Sequence, residues 1–441
     1  MTSAELRARR LLACAGPHLA AVAVSDRPWP QGAEGLLLTA LADVFSQVVI
    51  LTRARGARAG VRHLAGGLKV YYAPRRPVFG GTSFPGLFGL ARLVRCVVLR
   101  ERVTLLHAHA AFSALACEAL LHCRSLGLPC VFTDHSLFGF GEPASVLTNK
   151  TLQFALADAS HVVCVSLTAK ENTVLRARLP PSRVSVVPNG LDADRFSPDA
   201  AARPQTGVRI VCLQRLVYRK GTDVLAALIP LVLDARPDAS FVVGGDGPKR
   251  CVLDAMLVAH PHCVGRVALL GRVPREAVRP LLSSAHVFLS PSLTESFGMA
   301  CLEAASCRCT VVATAVGGVP ETLPSHILRL APPTLSGLTA TLLACLDEAV
   351  ANDCDAQHRV VAKMYSWERT ALCTEAAYAR AVAQHAAEAI GRGAPLLGRM
   401  RRFGRCGAVS GFVFAAVAAA DALLMRILSV LEPAHAIDVV P

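Results

Sequence analysis

Runs of consecutive apolar residues punctuate the chain, and stretches long enough for a helix lie between them. The runs do not alternate apolar with polar. Each therefore reads as a strand buried on both faces, the pattern of parallel sheets covered by helices. A first series falls at residues 20–25, 47–52, 68–73, 104–107, 130–134, 161–166 and 184–187. A second follows the segment VPNGLDADRF, at 208–213, 240–244, 267–270, 287–290 and 310–313. Two such series predict an α/β chain of two doubly wound domains, 1–195 and 196–363, each offering a ligand crevice at the carboxyl ends of its strands. The stretch 198–204, rich in Pro, Asp and Ala, reads as the linker. At the N-terminus Arg7, Arg9 and Arg10 precede an apolar stretch, as they would in a signal peptide, but Gly16, Pro17 and His18 interrupt it. A buried first strand at 20–25 is the preferred reading.

Beyond residue 363 the pattern changes. Residues 364–390 read as one long helix, followed by a basic linker, 391–405, that carries Arg399, Arg401, Arg402 and Arg405. Residues 406–425 contain one charge, Asp421. That is about the ~20 residues needed to cross a bilayer, so a transmembrane helix is preferred over a buried core helix or an interfacial one. The arginines on its N-terminal side would leave the large domains cytosolic and residues 426–441 as a lumenal tail. Gly407, Gly411, Ala415 and Ala419 recur every four residues. They would form a smooth stripe for a partner helix, with Asp421 adding a polar contact; simple alanine-richness is the other account of the stripe.

Composition sharpens this picture. At 441 residues the chain has room for two domains and an appendage. It is 53% hydrophobic, 5% aromatic and 18% charged, which implies aliphatic cores and excludes a disordered chain. A net charge of +14 favours anionic lipids or phosphorylated substrates. No Lys/Arg run interleaved with aromatics points to nucleic acid. The sixteen cysteines include no CxxC pair, and Cys307 and Cys309 lack nearby His or Cys partners. They read as buried, reduced side chains, neither a disulfide framework nor a zinc site.

Candidate chemistry centres on TESFGMACLEA, where Glu295 and Glu303 stand eight positions apart. A helix opening near Ser296 to Gly298 would aim its free N–H groups and positive dipole end at a diphosphate, and Gly298 would let the ligand approach the backbone. Glu295 would then lie beside the group the phosphates carry, and Glu303 could lean back toward a ribose diol. A capping Glu and an amphipathic-helix Glu would give the same spacing. Arg215 and Lys220, in the turn LQRLVYRKG, could neutralise charge on a departing diphosphate. VVGGDGPKR reads as a tight turn, because it lacks the full dinucleotide glycine fingerprint. In the first half His107 and His109 end one strand and His135 follows another; each could donate to a substrate hydroxyl or phosphate, or serve only as a structural hydrogen bonder. No Asp-x-Asp pair suggests a divalent metal.

Taken together, SLTESFGMACLEAASC, LVYRKGTDVL, VVGGDGPKR, VVATAVGGVPE and VVPNGLD resemble glycosyltransferase family 4 over residues 19–390. The resemblance implies the GT-B fold, two facing Rossmann-like domains with a C-terminal helix crossing back to the first, begun here at MYSWERTA. VFTDHSLFGF, SVLTNK, AKENTVLRA and the terminal apolar segment are similar to the catalytic subunits of phosphatidylinositol N-acetylglucosaminyltransferase. That implies transfer of N-acetylglucosamine from UDP-GlcNAc to the inositol 6-hydroxyl of phosphatidylinositol, with retention, on the cytosolic face of the endoplasmic reticulum. It also implies membrane partner subunits and no metal cofactor. By the same resemblance Glu295 lies at the donor sugar and Glu303 at the ribose. Arg215 and Lys220 meet the diphosphate, with Gly298 and Met299 beside it. His135 lies near the reacting sugar, and Arg272 and Val273 meet the nucleobase. The family has adjacent glycines in the loop after its first strand, whereas residues 28–37 here hold separated Gly32 and Gly35, so their part in the acceptor or phosphate loop is open, as is that of His109. Another lipid or soluble acceptor is the competing reading. A non-catalytic membrane scaffold would not need Arg215, Lys220 and Glu295. An oxidoreductase is disfavoured for want of an intact glycine fingerprint.

Overall fold

The computed structural model describes residues 20–25, 47–54, 58–64, 68–74, 77–79, 82–83, 87–109, 113–139, 143–204, 206–351, 354–390 and 395–437. The chain divides into two units, Met1–Pro188 with Trp367–Pro441, and Asn189–Ser366.

The first unit is built on an eight-stranded sheet. Its strands are β1 (Ala20–Ser25), β2 (Gln47–Arg53), β3 (Gly60–His63), β4 (Lys69–Ala73), β7 (Leu105–His109), β8 (Cys130–Asp134), β9 (His161–Cys164) and β10 (Val184–Val186), while β5 (Pro77–Phe79) and β6 (Thr82–Ser83) form a separate hairpin. The order is β10-β9-β8-β7-β1-β2-β4-β3, parallel except for β3. β4, β7 and β8 are buried at every position, as unbroken apolar runs require. β3 is exposed at every position and pairs antiparallel at the sheet edge. Its sequence, GVRH, has no apolar run, so pattern reading passes over it. The helices are α1 (Ala91–Arg100), α2 (Ala114–Ser125), α3 (Pro143–Ala157) and α4 (Leu167–Ala177).

The second unit carries β11 (Val208–Leu213), β12 (Ala239–Gly244), β13 (Val267–Gly271), β14 (Val287–Ser290), β15 (Thr310–Thr314) and β16 (Leu328–Ala331). All are parallel, in the order β13-β12-β11-β14-β15-β16. The chain therefore winds outward from β11 to β13 and then returns to the other side of β11. The topological switch point falls between β11 and β14. Its helices are α5 (Thr222–Ala235), α6 (Arg250–Ala259), α7 (Arg275–Ser283), α8 (Met299–Ser306), α9 (Leu335–Ala351) and α10 (Cys354–Met364). Leu225, Leu228, Ile229, Val232, Phe241, Val287, Leu289, Leu338 and Leu342 fill one largely aliphatic core.

Several expectations change. The chain passes into the second unit at Asn189, not after residue 195. The 198–204 stretch is a packed part of that unit: Asp199 caps a 3-10 turn, Ala200–Ala202, and Arg279 Nε donates to the Ser197 carbonyl at 2.9 Å. Pro, Asp and Ala mark turns whether or not those turns are tied down. The long helix expected over 364–390 is present as α11 (Trp367–Ile390), and it starts three residues later because α10 ends at Met364 and Tyr365 and Ser366 separate the two. α11 belongs to the first unit, where Ala371, Ala377, Tyr378 and Ala381 join the core of Leu105, Val131 and Val163.

The basic stretch 391–405 is not a free linker either. It contains α12 (Pro395–Gly404), in which Arg399 Nε and Arg402 Nη2 reach the Asp158 carboxylate at 2.6 and 2.7 Å. The apolar segment forms α13 (Ala408–Leu431), which is long and apolar enough to cross a membrane by length and composition. Of its small-residue stripe, Gly411 and Ala415 are buried in the first unit, beside Ala418, Asp421 and Met425, while Gly407 and Ala419 are half-buried.

Candidate active site

In the second unit Lys220 and Glu295 form an ion pair, although 75 positions separate them. Strand order brings them together. Lys220 ends the short turn Tyr218–Lys220 after β11, and Glu295 lies in the loop after β14, the two loops that flank the switch point. Gly221 closes the Lys220 turn with φ +70°, and a β-carbon there would stand 1.8 Å from the Pro291 carbonyl oxygen. Only glycine lets the two loops come that close. Leu293 N–H then donates to the Arg219 carbonyl at 3.0 Å. On the far side, Gly318 N–H donates to the Glu295 carbonyl at 3.0 Å, which ties in the loop after β15.

α8 opens immediately behind Glu295. Gly298 is its N-cap at φ +96°, a left-handed conformation that favours glycine, and Met299 is its first residue. No side chain caps this end. The N–H groups of its first turn lack intrahelical acceptors and lie at the positive end of the helix dipole. Arg215 is exposed at the carboxyl edge of β11. The four residues Arg215, Lys220, Glu295 and Gly298 thus share one edge of one sheet. The VVGGDGPKR turn braces it: Leu216 N–H donates to the Asp246 carbonyl at 3.0 Å, and Lys249 N–H donates to the Leu216 carbonyl at 2.9 Å.

Glu303 lies one turn into α8, and its carboxyl is pushed up to about 7. Burial is the main cause, and the Arg195 and Arg275 charges act in the opposite direction. Arg195 is itself held, its Nη2 donating to the Arg275 carbonyl at 2.8 Å. Neither arginine stands out in the sequence as a site residue; the sole signal is that Arg195 sits in the VPNGLDADRF segment. Arg272 and Val273 follow β13, two strands from the switch point, with Arg272 exposed and Val273 close over Gly244. They do not join the Lys220–Glu295 pair directly.

In the first unit the three histidines form a row. His107 and His109 are buried on β7, with ring centroids 4.1 Å apart. His109 stacks on half-buried His135 at 5.7 Å, with Nδ1 and Nε2 3.4 Å apart. His107 is satisfied by Tyr378 Oη at 2.7 Å and Thr133 Oγ1 at 2.6 Å. Burial first, then His109 and His135, hold its pKa well below the usual histidine range. His107 is therefore a neutral core residue, and His135 is the accessible end of the row.

Three sequence motifs meet behind His135. Asp134, in VFTDHSLFGF, accepts from Ser136 N–H at 2.9 Å and from Thr173 Oγ1 at 2.9 Å. Arg176, at the end of AKENTVLRA, faces Asp134 at 3.9 Å, donates to Asn149 of SVLTNK at 2.6 Å, and stacks 5.0 Å over Phe138. Asn172 Nδ2 donates to the Phe138 carbonyl at 2.9 Å. A buried arginine thus fixes the loop that carries His135. The motifs gave no sign that they converge, since the contact is made by folding. Gly32 and Gly35 lie outside the described residues. Among the described residues, no cluster of three or more His, Cys, Asp or Glu could hold a metal ion, and the cysteines are free.

Comparison with known proteins bears on the family and the fold. Residues 53–142 match the family model described as PIGA (GPI anchor biosynthesis), and residues 207–348 match the glycosyl transferases group 1 model. The chain is 43% identical to a phosphatidylinositol N-acetylglucosaminyltransferase subunit from Arabidopsis thaliana, over 96% of this chain and 94% of that protein. It is 42% identical to the Homo sapiens protein of the same name, over 89% and 80%. Its fold resembles sucrose-phosphate synthase from Thermosynechococcus elongatus, with TM-score 0.69 and 19% identity over 83% of this chain and 100% of that one. It also resembles Anabaena HepE in complex with UDP and glucose, with TM-score 0.63 and 18% identity over 82% and 99%. The two Rossmann-like units and these neighbours bear out the GT-B expectation. The chain belongs to the PIGA family of phosphatidylinositol N-acetylglucosaminyltransferase subunits, and it is a glycosyltransferase.

Proposed function

We propose that the chain moves N-acetylglucosamine from UDP-GlcNAc to the inositol 6-hydroxyl of phosphatidylinositol, with retention, as the first step of GPI-anchor synthesis. The Lys220–Glu295 pair beside the N-terminus of α8 carries the donor half of this reading. A diphosphate suits that edge: the α8 N–H groups, Arg215 and Lys220 would neutralise it without a metal. In the free chain Glu295 holds the Lys220 ammonium ready. An arriving diphosphate competes for that ammonium and releases the carboxylate to the hydroxyls of the sugar. Glu303 takes the ribose diol, Gly298 and Met299 line the phosphates, and Arg272 and Val273 take the nucleobase. His135, backed by His109, takes a hydroxyl near the reacting carbon.

The acceptor hydroxyl attacks the anomeric carbon on the face from which UDP departs. The bond from that carbon to the β-phosphate oxygen breaks as the new carbon–oxygen bond forms. The acceptor proton passes to the departing phosphate oxygen, so no protein nucleophile is needed. The chain's own share is alignment and fixed positive charge.

The acceptor rests on the names of the relatives, which also designate their proteins as subunits. From these we infer membrane partner subunits and residence at the endoplasmic reticulum membrane with the catalytic units cytosolic. The test is incubation of membranes containing the chain with labelled UDP-GlcNAc. Label should enter phosphatidylinositol, and Glu295→Ala should abolish it. Label in a different lipid, or in a soluble sugar, would replace this acceptor; no transfer to any acceptor would end the reading.

A further inference from the structure

β7 and β8 change character along the face that α11 covers. On β7 that face carries Leu105, His107 and His109, and on the neighbouring β8 it carries Val131 and Thr133, with His135 just past the strand end. Leu105 and Val131 lie in one apolar core with Tyr378 of α11. Toward the carboxyl edge the same face turns polar, and two rungs join the strands. His107 Nε2 meets Thr133 Oγ1 at 2.6 Å, and His109 Nδ1 meets His135 Nε2 at 3.4 Å. Ring contact ties the rungs together, because the His107 and His109 centroids lie 4.1 Å apart.

Tyr378 closes the inner end of this row, although 271 positions separate it from His107. Its Oη meets His107 Nδ1 at 2.7 Å, and its ring stands edge-on to the imidazole, with centroids 5.3 Å apart at 87°. Both ring nitrogens of His107 are thereby engaged, one by α11 and one by β8. Burial keeps His107 neutral and keeps the Tyr378 hydroxyl protonated. A neutral imidazole has one donor and one acceptor nitrogen, and a hydroxyl can serve either. Two hydroxyls on opposite sides therefore hold the ring at one angle, whichever nitrogen carries the proton. A phenylalanine at 378 would fill the same space and leave one nitrogen of His107 buried without a partner. The angle of His107 is passed on by packing: His109 lies against it, and His135 stacks on His109 at 5.7 Å and 14°. Arg176 holds the backbone of the His135 loop from outside, and Tyr378 holds the ring row from inside the core.

We propose that Tyr378 is a positioning residue for sugar transfer: through His107 and His109 it sets the angle of the His135 ring, so that α11 as well as β8 governs the group that meets the substrate hydroxyl. This rests on the role of His135 in the proposed function and deepens it. Tyr378→Phe and Thr133→Val each remove one partner of His107 and nearly keep the side-chain shape. Two measurements on the full chain in membranes test the proposal. Modification of His135 by diethyl pyrocarbonate, read by peptide mass mapping, needs no turnover. Each variant should change the His135 rate about threefold or more, while the exposed His260 and His326 of the second unit react as in wild type. In the transfer assay each variant should lower kcat about 10- to 100-fold, with the KM for UDP-GlcNAc within about twofold. Placed on His135→Ala, Tyr378→Phe should cost nothing further, because its effect runs through the ring that is gone. An unchanged His135 rate in both variants, or equal kcat losses with and without His135, would overturn the proposal. A variant that fails to fold would show itself by altered His260 and His326 rates, and the other variant then decides. If wild type transfers no label while the His135 rate responds as stated, the assigned reaction falls and the positioning of His135 stands.

Discussion

Glu303 gives the donor assignment a quantitative test. Burial raises its carboxyl to about 7, so near neutral pH roughly half of the free chain carries it protonated. A ribose diol offers two O–H donors, which the carboxylate accepts best. Donor binding then selects the ionised form, and the apparent Kd scales as one plus ten to the power pKa minus pH. With the pKa at about 7, that factor is about 11 at pH ~6 and about 1.1 at pH ~8. The Kd for UDP-GlcNAc should therefore fall about tenfold across that range. The sugar nucleotide has no phosphate that titrates there, so the slope reports the protein. Calorimetric titration in two buffers of different ionisation enthalpy would give the Kd and show a proton released on binding. Glu303→Gln should flatten the profile while leaving His135 in place, which separates the two titratable groups. A flat wild-type profile, tightening toward acid, or the same slope in Glu303→Gln would refute the reasoning.

Lys220→Ala should lower kcat by roughly 10²–10³ and change the donor Kd far less, since the cation matters most as charge develops on the departing diphosphate; equal losses in single-turnover rate and in binding would contradict that role. Gly221→Ala should destabilise the second unit by more than ~1–3 kcal/mol in chemical denaturation, because its new carbon meets the Pro291 carbonyl and its φ is left-handed. The Asp158 carboxyl is held down at about 2; burial opposes this, and Arg399, Arg124 and Arg402 outweigh it. Its folded pKa is depressed, so its contribution is present above the unfolded value of 3.8 and is lost as pH falls through about 2. About 2 kcal/mol of stability should disappear across that interval, and Asp158→Asn should remove that part of the pH dependence of Tm.

The chain's fold was largely legible because parallel strands announce themselves. β8 and β14 fall where the apolar runs put them, since a strand covered on both faces reads as a largely unbroken apolar run. Two edge strands escaped: β3 is exposed at every position and Arg329 interrupts β16, so neither leaves a continuous run. At the candidate site, the helix start at Gly298 and the turn holding Lys220 could be read from glycine placement. The arginines around Glu303 and the support behind His135 could not, because neither contact is local in sequence.

Residue order alone therefore determined the two α/β series, the glycine-hinged loops and the residue types able to handle a sugar diphosphate. Only folding decided which loops meet. Lys220 reaches Glu295 because β14 returns beside β11, and Arg176 reaches Asp134 because α4 packs against β9, the neighbour of β8. It also decided the fate of Asp421. In sequence Asp421 is one acid in an apolar segment; the folded unit supplies His122 and Ser125 as its buried partners at separations of 299 and 296 positions. Hydrophobicity is a property of each residue and can be summed along a chain; a hydrogen-bond partner for a buried charge is a property of the fold.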